Sequence, residues 1–165
     1  TDGQRFIVEV MHTPGHAPGH IVLADRRPKA RAMVVGDMVA AVGTIIVDPA
    51  DGDMQQYIRQ LERLAARGPS VLLPAHGPPI VFGQERLEYY IEHRLKRERK
   101  VFAALQAEGE AKAKELLPQA YADTPKFLYP LAERACLAHL IKLVADGRAE
   151  ALDDGRYRVD PEREG

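Results

Sequence analysis

At 165 residues and 45% hydrophobic, the chain has the size and apolar content of one globular domain or two small ones. Its net charge of −1 excludes a global field that would draw nucleic acid or an anionic membrane. The single Cys136 excludes an internal disulfide framework, no apolar run nears the ~20 residues of a membrane span, and no signal peptide is visible, so a cytoplasmic protein is expected.

The chain opens at Thr1 rather than Met and runs almost directly into a β-type segment, as a processed product or a fragment lacking its upstream part would. Short runs rich in Val, Ile and Leu, bounded by Gly, Pro or Asp, predict strands over Phe6–Met11, Ile21–Ala24, Ala32–Val35 and Ser70–Leu73. Between the last two, Met54, Tyr57, Ile58, Leu61 and Leu64 recur at helical spacing; Asp51 or Asp53 can cap this helix and Gly68-Pro69 stops it. Strand, helix, strand implies an α/β layer. From Gly83 a long helix carries Leu87, Tyr90, Ile91 and Leu95 on one face and Arg94, Lys96, Arg97, Arg99 and Lys100 on the other. Helical runs Val101–Ala107, Ala111–Leu117 and Leu131–Asp146 follow, then two β-type runs, Ala149–Leu152 and Arg156–Val159, around the tight-turn pair Asp154-Gly155. Three helices and a hairpin is the order of a winged helix. The division expected is 1–100, with a linker helix, and 101–165.

Three short segments carry metal-capable side chains at the ends of apolar runs, in Gly- or Pro-bearing loops. They are His12-Thr13-Pro14-Gly15-His16-Ala17-Pro18-Gly19-His20, then Gly36-Asp37, then Pro74-Ala75-His76-Gly77-Pro78. Imidazole and carboxylate suit Zn²⁺ and related borderline ions, and strand ends can hold them rigidly beside an open loop. Taken singly, each has a plainer reading: His16 as a turn residue bonding backbone, Asp37 as a cap, His76 as either. Tyr57, Tyr89 and Tyr90 could line a cleft, though their helical spacing favours packing.

In this order the three motifs resemble the C-terminal half of the metallo-β-lactamase superfamily, most closely its glyoxalase-II-like hydrolases. The resemblance implies that His16 ligates one metal, that Asp37 bridges two and is the residue catalysis depends on, and that His76 completes the second site. His12 and His20 would be orienting partners of the ligating imidazoles. Ala17 and Ala75 depart from the pattern but are small and remove no ligand. The family's H-x-H-x-D-H motif, which supplies the remaining ligands, does not occur in this sequence. Residues 1–82 therefore look like half of an αββα sandwich.

A branch of the superfamily adds a winged helix, which Arg94–Lys100, Thr124-Pro125 and Leu137–Leu143 with Asp146-Gly147-Arg148 resemble. The expected fold is thus α/β, half of a metallo-β-lactamase sandwich followed by a winged helix. The implied cofactor is a pair of Zn²⁺ ions, with Fe or Mn as alternatives, about 3.5–4 Å apart and activating water. The implied substrate is a small-molecule thioester, another ester, or single-stranded RNA. The implied partner is the missing N-terminal half, and no membrane is implied; the winged helix is expected either to pack on the hydrolase and narrow its cleft or to form a homodimer contact. Catalysis by these residues is expected to need that missing half.

The rival reading is a nucleic-acid-binding or interaction module. Charge opposes duplex binding: residues 101–165 hold nine Lys and Arg against twelve Asp and Glu, a net of −3.

Overall fold

The computed structural model describes residues 7–27 and 31–160; Phe6, the expected start of the first strand, lies outside them. The chain divides into two compact units, residues 1–45 with 55–92, and residues 46–54 with 93–165.

The first unit is built on four strands in spatial order: β1 (Val8–His12), β2 (Ile21–Asp25), β3 (Ala32–Gly36) and β4 (Val71–Pro74). The first two pairings are antiparallel and β3–β4 is parallel. A parallel pair needs a crossover, and helix α1 (Met54–Ala65) lies in that connection. Met11, Val22, Ala24, Met33, Val35 and Leu72 make one buried face of the sheet. The α1 positions picked out by spacing, Met54, Tyr57, Ile58, Leu61 and Leu64, are buried as well. The opposite sheet face is also apolar. It carries Val8, Val10, Ile21, Val34 and Leu73, all exposed. Strand alternation makes this diagnostic: a sheet with water on one side reads apolar–polar, whereas β3 is Ala-Met-Val-Val.

The sequence suggested separate helices on either side of residue 100. The structure has one uninterrupted helix, α2 (Gly83–Glu108), because no Gly or Pro interrupts it between Gln84 and Glu108. Its buried stripe also differs from expectation. Leu87 and Tyr90 are buried, but the stripe continues through Arg94 and Glu98, whereas Ile91 and Leu95 are only partly covered. Glu98 can be buried because Lys142 Nζ lies 2.9 Å and Arg148 Nη1 3.2 Å from its carboxylate.

In the second unit α2 leads to β5 (Glu110–Ala111), α3 (Ala113–Ala120), a 3₁₀ turn, α4 (Tyr129–Ala145), β6 (Ala149–Ala151) and β7 (Tyr157–Val159). The strands pair antiparallel in the order β5-β7-β6. Residue 111, expected to open a helix, pairs with Tyr157, and α3 starts two residues later, where the Glu115 carboxylate accepts the Lys112 N–H at 2.7 Å. A two-residue strand carries no periodicity, so sequence pattern could not find it. The hairpin turn forms at Asp154-Gly155, with Leu152 N–H donating to the Arg156 carbonyl at 2.8 Å. Val101, Leu105, Leu116, Leu117, Cys136, Leu140 and Leu143 make the core. Among the described residues no helix is long and apolar enough to cross a membrane.

That core contains a histidine. His139 is completely buried, and among the described residues neither ring nitrogen has a hydrogen-bond partner. Glu98 Oε2, 3.9 Å from Nδ1, is too distant to serve. Burial pushes the His139 pKa down to about 4, against the partial opposing pull of Glu98; Arg94 and Lys142 lower it further. The folded value lies below the unfolded 6.5, so neutral His139 supports the fold above that pH. This support should fade as pH falls from 6.5 towards 4, a loss of about 3 kcal/mol. Urea midpoints of the parent should therefore drop across this window, and His139→Leu should flatten the slope. An unchanged slope in the variant would assign the acid sensitivity to other groups.

Candidate metal centre

His16, Asp37 and His76 come from three loops that leave the same end of the sheet: after β1, after β3 and after β4. Asp37 stands between the two imidazoles. Its Oδ2 lies 3.7 Å from His16 Nε2 and its Oδ1 lies 3.3 Å from His76 Nε2. Oδ1 is buried and, among the described residues, accepts no hydrogen bond. His16 and Asp37 are about one-third exposed, whereas His76 is 73% exposed.

Two donor atoms bound ~2.0–2.2 Å from one tetrahedral ion stand roughly 3.3 Å apart, so both spacings fit shared coordination. A buried carboxylate oxygen without a donor is the environment a cation would satisfy. Among the described residues no group of three or more His, Cys, Asp and Glu side chains closes around one point. The arrangement is instead two His–Asp pairs sharing the Asp37 carboxylate, each pair offering two donor atoms.

The two further histidines act on the loops. His12 Nε2 is 2.7 Å from the Pro18 carbonyl, closing the loop that carries His16. The His20 ring meets that of His16 edge-on, with centroids 6.2 Å apart, and both of its nitrogens are engaged elsewhere. Its Nε2 accepts the Asp37 backbone N–H at 3.1 Å, and its Nδ1 lies 2.8 Å from Thr13 Oγ1. Accepting at Nε2 puts the proton on Nδ1, donating to Thr13. Burial, with His16 beside it, lowers the His20 pKa and favours this neutral form. His20 thus orients Asp37 through its backbone.

Sequence pattern missed the groups that hold the segment after Asp37. Met38, Val39 and Ala40 are buried, and their backbone is held by Tyr57, Arg86 and Tyr90. Tyr57 and Tyr90 therefore line no cleft; both are fully buried, while Tyr89 is exposed. Helical spacing identifies them as inward-facing but says nothing of where their hydroxyls go.

The basic stretch of α2 is largely committed within its own unit. Arg94 is buried, Arg97 lies 4.2 Å from the Tyr121 ring centre, and Arg97 and Lys100 both pair with Asp123. On α4, Arg134 pairs with Asp48 and Lys142 with Glu98 and Asp146. Cations neutralised in this way are poorly placed to contact phosphates.

Known proteins place this architecture. Residues 1–76 match the metallo-β-lactamase superfamily model, and residues 113–157 match the β-lactamase-associated winged helix domain. A β-lactamase-like protein 2 homolog of Drosophila melanogaster is 30% identical over 159 residues, covering 93% of this chain and 52% of its own length. The Caenorhabditis elegans homolog is 31% identical over 143 residues, covering 87% and 46%. An atrochrysone carboxyl ACP thioesterase of Aspergillus fumigatus is 32% identical over 110 residues, covering 64% and 33%. The crystal structure of a metallo-β-lactamase family protein from Thermus thermophilus superposes with a TM-score of 0.77 at 26% identity, over 96% of this chain and 53% of that one. The chain spans about half the length of the curated relatives it matches. With the ordered His16, Asp37 and His76 loops and the helices and hairpin that follow, the chain belongs to the metallo-β-lactamase superfamily and carries its C-terminal winged helix.

Proposed function

We propose that this chain supplies half of the metal centre of a metal-dependent hydrolase acting on a thioester or related ester. The observation that supports this reading best is Asp37, each of whose oxygens faces a different imidazole while one of them is buried without a donor. His16 and His76 would each hold one ion, Asp37 would bridge them, and His20 would keep Asp37 in register. Zn²⁺, or Fe or Mn²⁺, bound there would supply Lewis acidity and lower the pKa of water held at the site to about 7. Thioester is preferred over RNA phosphodiester because a relative is named as a thioesterase and because the cations of the second unit are largely paired.

The reading includes a condition. Each ion would have too few ligands from these residues alone, and the apolar face at Val8, Val10, Ile21, Val34 and Leu73 calls for a second layer of protein. We infer that an N-terminal half of the domain covers it and completes the site. The zinc-loaded 165-residue chain should hydrolyse neither a generic thioester nor single-stranded RNA at an appreciable rate. Adding the upstream half, fused or co-expressed, should produce thioesterase activity. Val10→Asp or Val34→Asp should block that gain without lowering the melting temperature of the isolated chain, because both side chains are already exposed. Robust turnover by the isolated chain would refute the condition. RNA cleavage without thioester cleavage in the completed protein would reverse the substrate preference.

A further inference from the structure

The segment Met38–Gly43 is tied down by side chains from two helices, all within the first unit. The Tyr57 hydroxyl donates to the Met38 carbonyl at 2.5 Å. Arg86 Nη2 donates to the Ala40 carbonyl at 2.7 Å and to the Ala41 carbonyl at 2.9 Å, and its Nε donates to Ala40 at 3.2 Å. The Tyr90 hydroxyl accepts the Ala40 N–H at 2.9 Å and donates to the Gly43 carbonyl at 3.0 Å. Arg86 also lies 5.2 Å from the Tyr90 ring centre, so the two side chains brace each other.

The segment in turn holds the loop that carries His76. Ala41 N–H donates to the His76 carbonyl at 3.0 Å, and Ala75 N–H donates to the Gly36 carbonyl at 3.0 Å. Gly77 sits against Ala41 with φ +94, and a Cβ there would come within 2.6 Å of the Ala41 Cβ. The backbone on either side of Asp37 is therefore bonded to the backbone on either side of His76. A guanidinium with three bonds to two adjacent carbonyls fixes both position and direction, as one hydroxyl cannot.

We propose that Arg86 and Tyr90 are positioning residues that set the spacing of Asp37 and His76 by clamping the Met38–Gly43 segment between them. The consequence for metal rests on the reading of these two residues as ligands; the clamp itself does not. Rigid support of this kind typically alters metal affinity by ~10–100-fold when removed.

The test uses the 165-residue chain with ¹⁵N-labelled histidine, titrated with Zn²⁺, together with amide hydrogen exchange in metal-free buffer. Arg86→Met keeps the aliphatic stem and removes the donors; Tyr90→Phe keeps the ring and removes the hydroxyl. Each is expected to raise the zinc needed to shift the His76 ring signals by about tenfold. Each should also speed exchange at Ala41 while sparing the strand amides of Met33 and Val35, and Arg86→Lys should recover part of both effects. Parent-like zinc response and Ala41 exchange in both variants would overturn the proposal. Faster exchange spread evenly over the whole unit would overturn it too, since that marks general destabilisation. If zinc moves neither His16 nor His76 in the parent, these residues alone are too few to hold it, as the need for a second half implies. Ala41 exchange then decides the clamp: selective acceleration supports it and no change overturns it.

Discussion

Asp37→Asn is expected to abolish activity in the completed hydrolase while leaving the fold intact or slightly more stable. Among the described residues Asp37 is the one group recorded facing both His16 and His76, so on the proposed reading its loss removes a ligand from each ion together with the charge that offsets them. Losing a mere orienting partner costs ~10–100-fold in metal affinity or activity, and a shared ligand should exceed that, at roughly 10³-fold or more in kcat/KM. The same substitution removes a carboxylate whose buried Oδ1 has no donor among the described residues. Relief of that unsatisfied charge should hold the melting temperature or raise it, the usual trade between stability and function. Zinc content by elemental analysis, kcat/KM and thermal melting of the metal-free protein measure the three effects. A variant that keeps both zinc and turnover would remove Asp37 from the site. One that loses turnover only because it melts early would make Asp37 structural.

Gly15→Ala is expected to be the most damaging small substitution in the first unit. Gly15 has φ +136, and a Cβ there would lie 2.4 Å from both the backbone N and Cα of Tyr57. Backbone of α1 cannot yield as a flexible side chain can, so the loop before His16 must move. Strain at a disfavoured φ and overpacking together come to roughly 2–4 kcal/mol. At this chain length that is a fall of roughly 5–15 °C in melting temperature. Gly19 is the internal control. It is in the same loop, and a Cβ there meets nothing within 4 Å. Gly19→Ala should be close to neutral. Equal melting temperatures for the two variants would show that the packing of Gly15 on Tyr57 carries no weight.

Gly15 and Tyr57 show how far sequence reasoning reached. Gly15 is part of the motif that marked His16, and Tyr57 is one of the periodic apolar positions of α1, so each was visible by itself. Their contact was not, because the residues between them carry no local signal of it. His20 is a similar case. The sequence marked it as a partner of the site, but only the fold shows that it bonds the Asp37 amide rather than an imidazole. Arg86 was not singled out, since an arginine at the start of a charged helix has no pattern distinguishing it from a solvated one.

Local sequence by itself determined the strands of the first unit, helices α1 and α4, the 154–155 turn and the three loops that carry His16, Asp37 and His76. Each rests on periodicity or turn chemistry acting over a few residues. It misjudged α2 at Arg94, which is buried, and did not mark Glu98, whose burial depends on ion pairing with Lys142 and Arg148 far along the chain. Tertiary structure alone decided the two-residue β5, the buried His139, the bare apolar face of the sheet, and the meeting of His16, Asp37 and His76 around one carboxylate. Those features depend on which distant segments the chain brings together, and loop closure over tens of residues leaves no mark in the residues it joins.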